Sequence, residues 1–340
     1  MDYRILGRTG LRVSVISMGS WQLSGPLDVD GQADGFPDIG RDAAIRLIQA
    51  CNDLGINFID SAEIYGDGEG EQRIGEAIKG KRDRWIVSTK FGLRCTDTGN
   101  RLEDASPAVI RPSLERSLRR LQSDYVDLYL YHSPPTARSI LEGKRVLDAL
   151  KQEGKIRFYG ISTDDFQVLS QMVSCDAVEV AMFAQSLIVH PSKMLNLVKT
   201  HNLGRVVRGA LAAGQLSGKY FHHPPQISEQ DFRSAVSIPW KKYAFYERFL
   251  PENVSMTAFA LRYLLDFDTT HTIILGGKSL ANYQEAFKAL ALPALEPDIH
   301  RAMEQIRRKQ ALKELAKKML RPVGRPIKGL LRFFTASLRT

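Results

Sequence analysis

Short apolar runs and stretches of helical periodicity alternate eight times along this chain, and that alternation constrains the fold more than any other feature. The runs fall near residues 13–18, 56–60, 85–90, 126–131, 156–162, 177–182, 205–209 and 272–276. Helical periodicity follows them near 41–55, 70–79, 107–121, 138–151, 164–173, 191–202, 253–265 and 279–290. Buried strands alternating with helices predict a parallel sheet, and eight such units are the count for a closed (β/α)8, or TIM, barrel. Residues 2–14 read as a β-hairpin turning at Gly7-Arg8-Thr9-Gly10, ahead of the first barrel strand. Two long loops interrupt the alternation, a Gly-, Asp- and Pro-rich one at 22–40 and another at 210–250. Loops of that length in a folded domain are usually functional or disordered.

Charge divides the chain. Residues 301–340 hold 12 Lys/Arg against 2 Asp/Glu, a net +10, whereas the remainder carries −1. The expected organisation is a barrel over 1–300 and a basic C-terminal helix and tail over 301–340. Residues 297–320 read as helical, and Pro322, Gly324 and Pro326 break the pattern before Gly329-Leu330-Leu331-Arg332-Phe333-Phe334. Three readings of the tail stand: a solvated helix packed across the barrel, an anionic membrane surface, or an acidic protein partner. No fold motif accompanies the charge that would make specific nucleic-acid binding an expectation. Cys51, Cys95 and Cys175 form neither a metal-type pair nor a disulfide framework. With no signal-peptide pattern after Met1 and no run long enough to cross a bilayer, the expected compartment is the cytoplasm.

The ends of parallel strands gather at one face, where barrel active sites lie. Asp60 and Tyr65 follow Ile56-Asn57-Phe58-Ile59, Lys90 closes Trp85 to Thr89, and His132 closes Val126 to Tyr131. Neither a phenol (~10) nor an ammonium (~10.4) is a good acid or base at neutral pH alone. A lysine beside a tyrosine favours the phenolate, a carboxylate holds the lysine charged, and an imidazole can hydrogen-bond a carbonyl. The set fits a tyrosine general acid acting on a carbonyl oxygen while hydride arrives from a nicotinamide cofactor. Each residue alone also has an ordinary structural explanation. Glu63 and Glu69 read as surface caps or salt bridges, Cys95 as a passive small residue, and His222-His223 as solvated loop with no third metal ligand, so no metal is expected.

Asn57-Phe58-Ile59-Asp60-Ser61-Ala62-Glu63-Ile64-Tyr65-Gly66, Ser88-Thr89-Lys90-Phe91-Gly92 and Tyr129-Leu130-Tyr131-His132 resemble the aldo-keto reductase family. So do Leu6 to Ser14, Gly160-Ile161-Ser162, Gly214 to Tyr220 and Ile274 to Ser279, in order over roughly residues 2–290. The resemblance implies an NAD(P)H-dependent reductase of a small carbonyl substrate. Tyr65 would be the acid, Lys90 and Asp60 its tuning pair, His132 the orienter of the carbonyl, and Trp21 a substrate wall. Ser162 and Gln185 would hold the nicotinamide carboxamide. The segment from Gly209 through Lys219, with Leu211, Gly214, Leu216 and Gly218, would cover the pyrophosphate. Gly276, Lys278, Ser279, Asn282 and Glu285 would hold the adenosine end. A cation and a hydroxyl at the start of a helix suit a 2′-phosphate, which favours NADPH, with NAD the lesser alternative.

Three positions depart from the family pattern. Thr163 stands where Asn is usual, Arg208 where an aromatic ring often stacks on the nicotinamide, and Ala286 where an adenine-binding Asn is common. Two rivals remain in the sequence: a regulatory protein that keeps the nucleotide as a sensor with little turnover, and a phosphate-binding barrel isomerase, which has no need of the Tyr–Lys pair.

Overall fold

In the computed structural model, which describes residues 1–319, eight parallel strands close into a barrel. They are β1 (Ile16–Gly19), β2 (Phe58–Asp60), β3 (Ile86–Phe91), β4 (Val126–Tyr131), β5 (Ile156–Ser162), β6 (Val180–Ala184), β7 (Gly204–Arg208) and β8 (Thr272–Leu275). Each pairs with the next, and β8 pairs with β1 to close the ring. The helices are α1 (Arg41–Asp53), α2 (Glu69–Ala77), α3 (Pro107–Leu121), α4 (Ile140–Gln152), α5 (Phe166–Ser174), α6 (Ser192–Thr200), α7 (Met256–Leu265) and α8 (Leu280–Phe287). A further helix, α9 (Pro297–Met319), follows them. The (β/α)8 expectation is met.

The period of two along each strand sorts side chains between two cores. Phe58, Ile86, Leu128, Leu130, Val180, Met182 and Val206 fill the barrel. Their neighbours Val87, Tyr129, Tyr131, Phe183 and Val207 face the helices. Helix α1 shows the matching pattern, burying Ala44, Leu47, Ile48 and Cys51 at helical spacing. The hairpin of Tyr3–Ile5 with Arg12–Ser14 seals the end where the strands begin. Its Leu6, Leu11 and Val13 join the barrel interior, and the Arg4 guanidinium donates to the carbonyls of Leu265, Phe267 and Thr270. Gly160 lets β5 lie close on β6, since a Cβ there would stand 1.8 Å from the Val180 carbonyl oxygen.

The opposite end is built up by loops. Two small antiparallel pairs, Asp28–Val29 with Gln32–Ala33 and Leu93–Cys95 with Arg101–Glu103, rise after β1 and β3. They touch where Asp30 N donates to the Gly99 carbonyl and its Oδ1 accepts from Arg101 N. The 210–250 loop crosses to them, Phe232 N donating to the Gly35 carbonyl. Helix α9 docks on the barrel through buried Met303, half-buried Ile299, Ala302 and Ile306, and an Arg307 bond to the Tyr263 hydroxyl. No helix among the described residues is long and apolar enough to cross a membrane. Residues 320–340, which hold the Pro- and Phe-rich end of the tail, lie outside the described residues.

Candidate active site

Asp60 is the last residue of β2 and pairs in register with Ser88 on β3, two residues before Lys90. This register brings the carboxylate and the ammonium together in the barrel mouth. Ser88 Oγ donates to Asp60 Oδ1 at 2.9 Å, and Lys90 Nζ donates to Asp60 Oδ2 at 2.6 Å. Lys90 Nζ also donates to the Ser61 carbonyl at 2.7 Å and reaches Tyr65 Oη at 3.4 Å. Three ammonium hydrogens thus meet three acceptors. Because Tyr65 Oη accepts from Lys90, the phenol's own hydrogen is free to point elsewhere. His132 donates its backbone N–H to the Phe91 carbonyl at 2.8 Å, and its ring lies edge-on to Tyr65 with centroids 5.9 Å apart. His132 Nδ1 is buried and has no hydrogen-bond partner among the described residues.

Burial sets the protonation states here. It pushes the Asp60 carboxyl up, against the pull of Lys90. Burial alone would lower Lys90, but the Asp60 carboxylate reverses it and the ammonium ends above its ordinary value. Burial also raises the Tyr65 phenol, and the Lys90 ammonium opposes this only in part. The net direction at Tyr65 is therefore opposite to the lowering expected from Lys90 alone, because desolvation of the phenolate outweighs one neighbouring cation. His132 is driven well below its ordinary value by burial, then by Lys90, Arg208 and Arg101, so its imidazole is neutral.

Trp21 lies over Tyr65, rings stacked at 5.9 Å, and packs against Phe232 at 4.6 Å and Phe36 at 5.2 Å. An aromatic cluster drawn from both long loops thus packs on the Tyr65 ring through Trp21. Phe36 and Phe232 carry no local motif, and only the meeting of the two loops reveals them.

The other expected positions are distributed along the strand ends. Ser162, half-buried, ends β5. Gln185 makes no hydrogen bond with Ser162 among the described residues. It is buried, its Oε1 accepts from Arg205 at 2.6 Å, and its Nε2 lies 3.4 Å from His190 Nδ1. Strand alternation turns 181, 183 and 185 toward the helices, and Arg205, fully buried over the Phe183 ring and pushed down to about 9 by burial, draws on the amide oxygen. Arg208 sits at the end of β7 opposite Ala184, its guanidinium held at 2.7 Å by Asp164, a residue that no sequence motif marks.

Beyond β7 the backbone is left-handed at Gly209, Ala212, Ala213, Gly214 and Gly218, a costly conformation for the two alanines that is common at binding loops. Leu211 is half-buried and Lys219 exposed, while Leu216 is fully buried, so only its backbone faces the loop. After β8, Gly276 is exposed and packs on the Gln22 side chain. Ser279 and Asn282 form a capping box on α8, with Asn282 Oδ1 accepting from Lys278 N, Ser279 N and Ser279 Oγ. Lys278 Nζ donates to the Pro37 carbonyl at 2.9 Å and lies 5.2 Å from the Phe36 ring centre. Glu285 pairs with Lys288 at 2.7 Å, and its Oε1 is buried without a hydrogen bond. Glu69 bridges Arg41 and Arg73, as a surface acid would. Glu63 does not stay at the surface: it is 2% exposed and bonded to Gly92 N, Ser113 and Arg116. Among the described residues no cluster of His, Cys, Asp and Glu could hold a metal ion.

Fold and site together put the chain in the (β/α)8 barrel class, with an acid, an amine, a phenol and an imidazole at the strand ends. The profile of the aldo/keto reductase family matches residues 15–308, and the chain belongs to that family. It is similar to the uncharacterised oxidoreductase YqkF of Bacillus subtilis, with 29% identity over 294 residues covering 85% of this chain and 91% of that one. It is 28% identical over 335 residues to a probable voltage-gated potassium channel subunit beta of Oryza sativa subsp. japonica, covering 90% and 96%. The solved holo form of aldo-keto reductase AKR11C1 from Bacillus halodurans matches with a TM-score of 0.75 and 28% identity, covering 90% of this chain and 96% of that one.

Proposed function

We propose that this protein is an oxidoreductase that reduces an aldehyde or ketone to the alcohol with a nicotinamide cofactor, NADPH in preference to NADH. The observation that carries the reading is the three-way bond of Lys90 Nζ to Asp60, Ser61 and Tyr65 beside a neutral His132. The residues at hand suit such a cofactor. Among the described residues His132 Nδ1 and Glu285 Oε1 are buried polar atoms without a hydrogen-bond partner, one beside Tyr65 and one on α8. Ser162 would meet the carboxamide, the left-handed 209–218 loop the pyrophosphate, and Lys278, Ser279 and Glu285 the adenosine end. When bound, the cofactor supplies hydride to the carbonyl carbon.

The protein's own part is to hold the carbonyl and move one proton. A ring N–H of His132 orients the carbonyl oxygen. The Tyr65 hydroxyl hydrogen, left free by the Lys90 contact, passes to that oxygen as it gains charge. The phenolate left behind is stabilised by the Lys90 N–H, and Asp60 keeps Lys90 charged. The raised phenol suits the acid role, because Tyr65 stays protonated at neutral pH until the substrate demands the proton. Trp21, Phe36 and Phe232 border the place of reaction with apolar surface. A 2′-phosphate would compete with the Pro37 carbonyl for the Lys278 ammonium.

The test is to follow nicotinamide absorbance with NADPH and NADH against a panel of aldehydes and ketones. Oxidation of the cofactor with formation of the alcohol supports the reading. The likeness to a channel subunit favours a second one, in which the nucleotide is kept as a sensor. Tight NADPH binding with no turnover across the panel would favour that reading.

A further inference from the structure

Glu63 lies two residues before Tyr65 in the turn that carries it, and it makes a two-point clamp on β3 and the residue after it. Its backbone N–H donates to the Lys90 carbonyl at 3.2 Å, and its Oε1 accepts from Gly92 N at 3.0 Å, so it spans Phe91. The Phe91 carbonyl in turn accepts from His132 N. Residues 90–92 are thus the hub to which the Tyr65 turn and the His132 strand end are both fastened. The Glu63 carboxylate is held from outside as well. Arg116 on α3 donates to Oε2 at 3.0 Å and to Ser113 Oγ at 2.8 Å, and Ser113 Oγ reaches Oε1 at 3.4 Å. The Arg120 guanidinium reaches the Glu63 carbonyl at 3.5 Å. A carboxylate so buried and so fully bonded sets the geometry of its segment.

We propose that Glu63 is a positioning residue that sets the Tyr65 phenol against Lys90. The turn itself is tight, Tyr65 N donating to the Ala62 carbonyl at 3.1 Å, so a displacement at residue 63 is carried to residue 65. The 3.4 Å contact of Lys90 Nζ with Tyr65 Oη is long for a charged donor and has little slack before it is lost. Glu63 itself touches neither substrate nor cofactor. The catalytic consequence rests on the carbonyl-reductase reading above, whereas the positioning does not.

The experiment compares Glu63→Ala and Glu63→Gln, each alone and combined with Tyr65→Phe, in the full chain. Loss of the clamp lowers kcat on the order of 10²-fold, the scale of a misplaced reacting group, with the Kd for NADPH little changed. The glutamine amide oxygen still accepts from Gly92 N, so Glu63→Gln recovers most of the rate. In the Tyr65→Phe background Glu63→Ala removes nothing further, because the group it positions is gone. Additive losses, or equal losses for Gln and Ala, would overturn the proposal. If Glu63→Ala does not fold, Arg116→Ala, which frees one side of the carboxylate, enters the same cycle and is judged by the same non-additivity.

A second measurement needs no turnover: the titration midpoint of Tyr65, followed by NMR of ring-labelled tyrosine and assigned by its loss in Tyr65→Phe. The midpoint moves in Glu63→Ala, or in Arg116→Ala where the former does not fold, and returns in Glu63→Gln. An unmoved midpoint overturns the positioning. Absence of carbonyl reduction by the wild-type protein overturns the reductase reading instead, and the midpoint still decides on Glu63.

Discussion

The Lys90 ammonium is 1% exposed and keeps its proton because Asp60 sits 2.6 Å away. The same burial and the neighbouring cations keep His132 neutral. An ordinary histidine titrates near ~6.5, so the rate of reduction should show no inflection in that region. Since the folded-state value is lowered, His132 gains a proton only in more acidic solution. A kcat profile over the neutral and mildly acidic range checks this, and an inflection near neutrality that disappears in His132→Ala would contradict it. Lys278 supports a second expectation. Lys278→Glu places a carboxylate where a 2′-phosphate would bind, so Kd for NADPH should rise relative to that for NADH, by on the order of 10-fold or more for a lost charged contact. Unchanged affinity for NADPH would remove Lys278 from the phosphate site.

Asp60, Lys90 and His132 were legible in the sequence because each closes an apolar run, and Tyr65 because it follows one by a single turn. Gln185 lies in none of the quoted motifs and rests on the resemblance alone; the direction of its side chain depends on strand parity and on Arg205, twenty residues away. Glu63 looked like a surface acid because its partner Arg116 stands 53 positions later. Asp164 and Phe232 owe their places to partners on other strands and loops, which no local pattern encodes.

At the scale of elements, the ladder follows hydrogen bonding more closely than hydrophobicity. The first strand begins at Ile16, since Arg12–Ser14 pairs backward into the hairpin. The sixth is Val180–Ala184, later than the apolar run suggests, because Ala177 and Val178 are buried in the turn that leads to it. The pairs at 28–33 and 93–103 have no signature in the sequence, because two- and three-residue strands leave no alternation to read. Gly160, by contrast, carries a sharp consequence. An added methyl would meet the Val180 carbonyl at 1.8 Å and force β5 from β6. Gly160→Ala should destabilise the protein by at least ~2 kcal/mol, the range for forced overpacking, measured as a lower denaturant midpoint. An unchanged midpoint would mean that the two strands have room to part.

For the molecule as a whole, α9, which carries the first of the basic residues, ties the C-terminal region to the barrel. Met303 is fully buried in the helix-side core, so Met303→Ala should cost about 2–4 kcal/mol by leaving a cavity. Removal of the residues after Lys317 should leave the melting temperature and the rate of reduction unchanged. Any co-sedimentation with anionic vesicles, which the net charge of +6 over 318–340 favours, should be lost with them. A large fall in melting temperature on that truncation would instead tie the tail to the fold.

One proton lies at the centre of the proposed reaction. The Tyr65 hydroxyl is the group that the barrel register, the Asp60–Lys90 pair and the Glu63 clamp converge on. The most direct measurement is single-turnover reduction of an aldehyde by Tyr65→Phe beside the wild-type protein, with the Kd for NADPH measured on both. The expected result is a rate lower by about 10²–10⁴-fold with nearly equal Kd, the contribution of a positioned general acid. Near-normal reduction by Tyr65→Phe would contradict it.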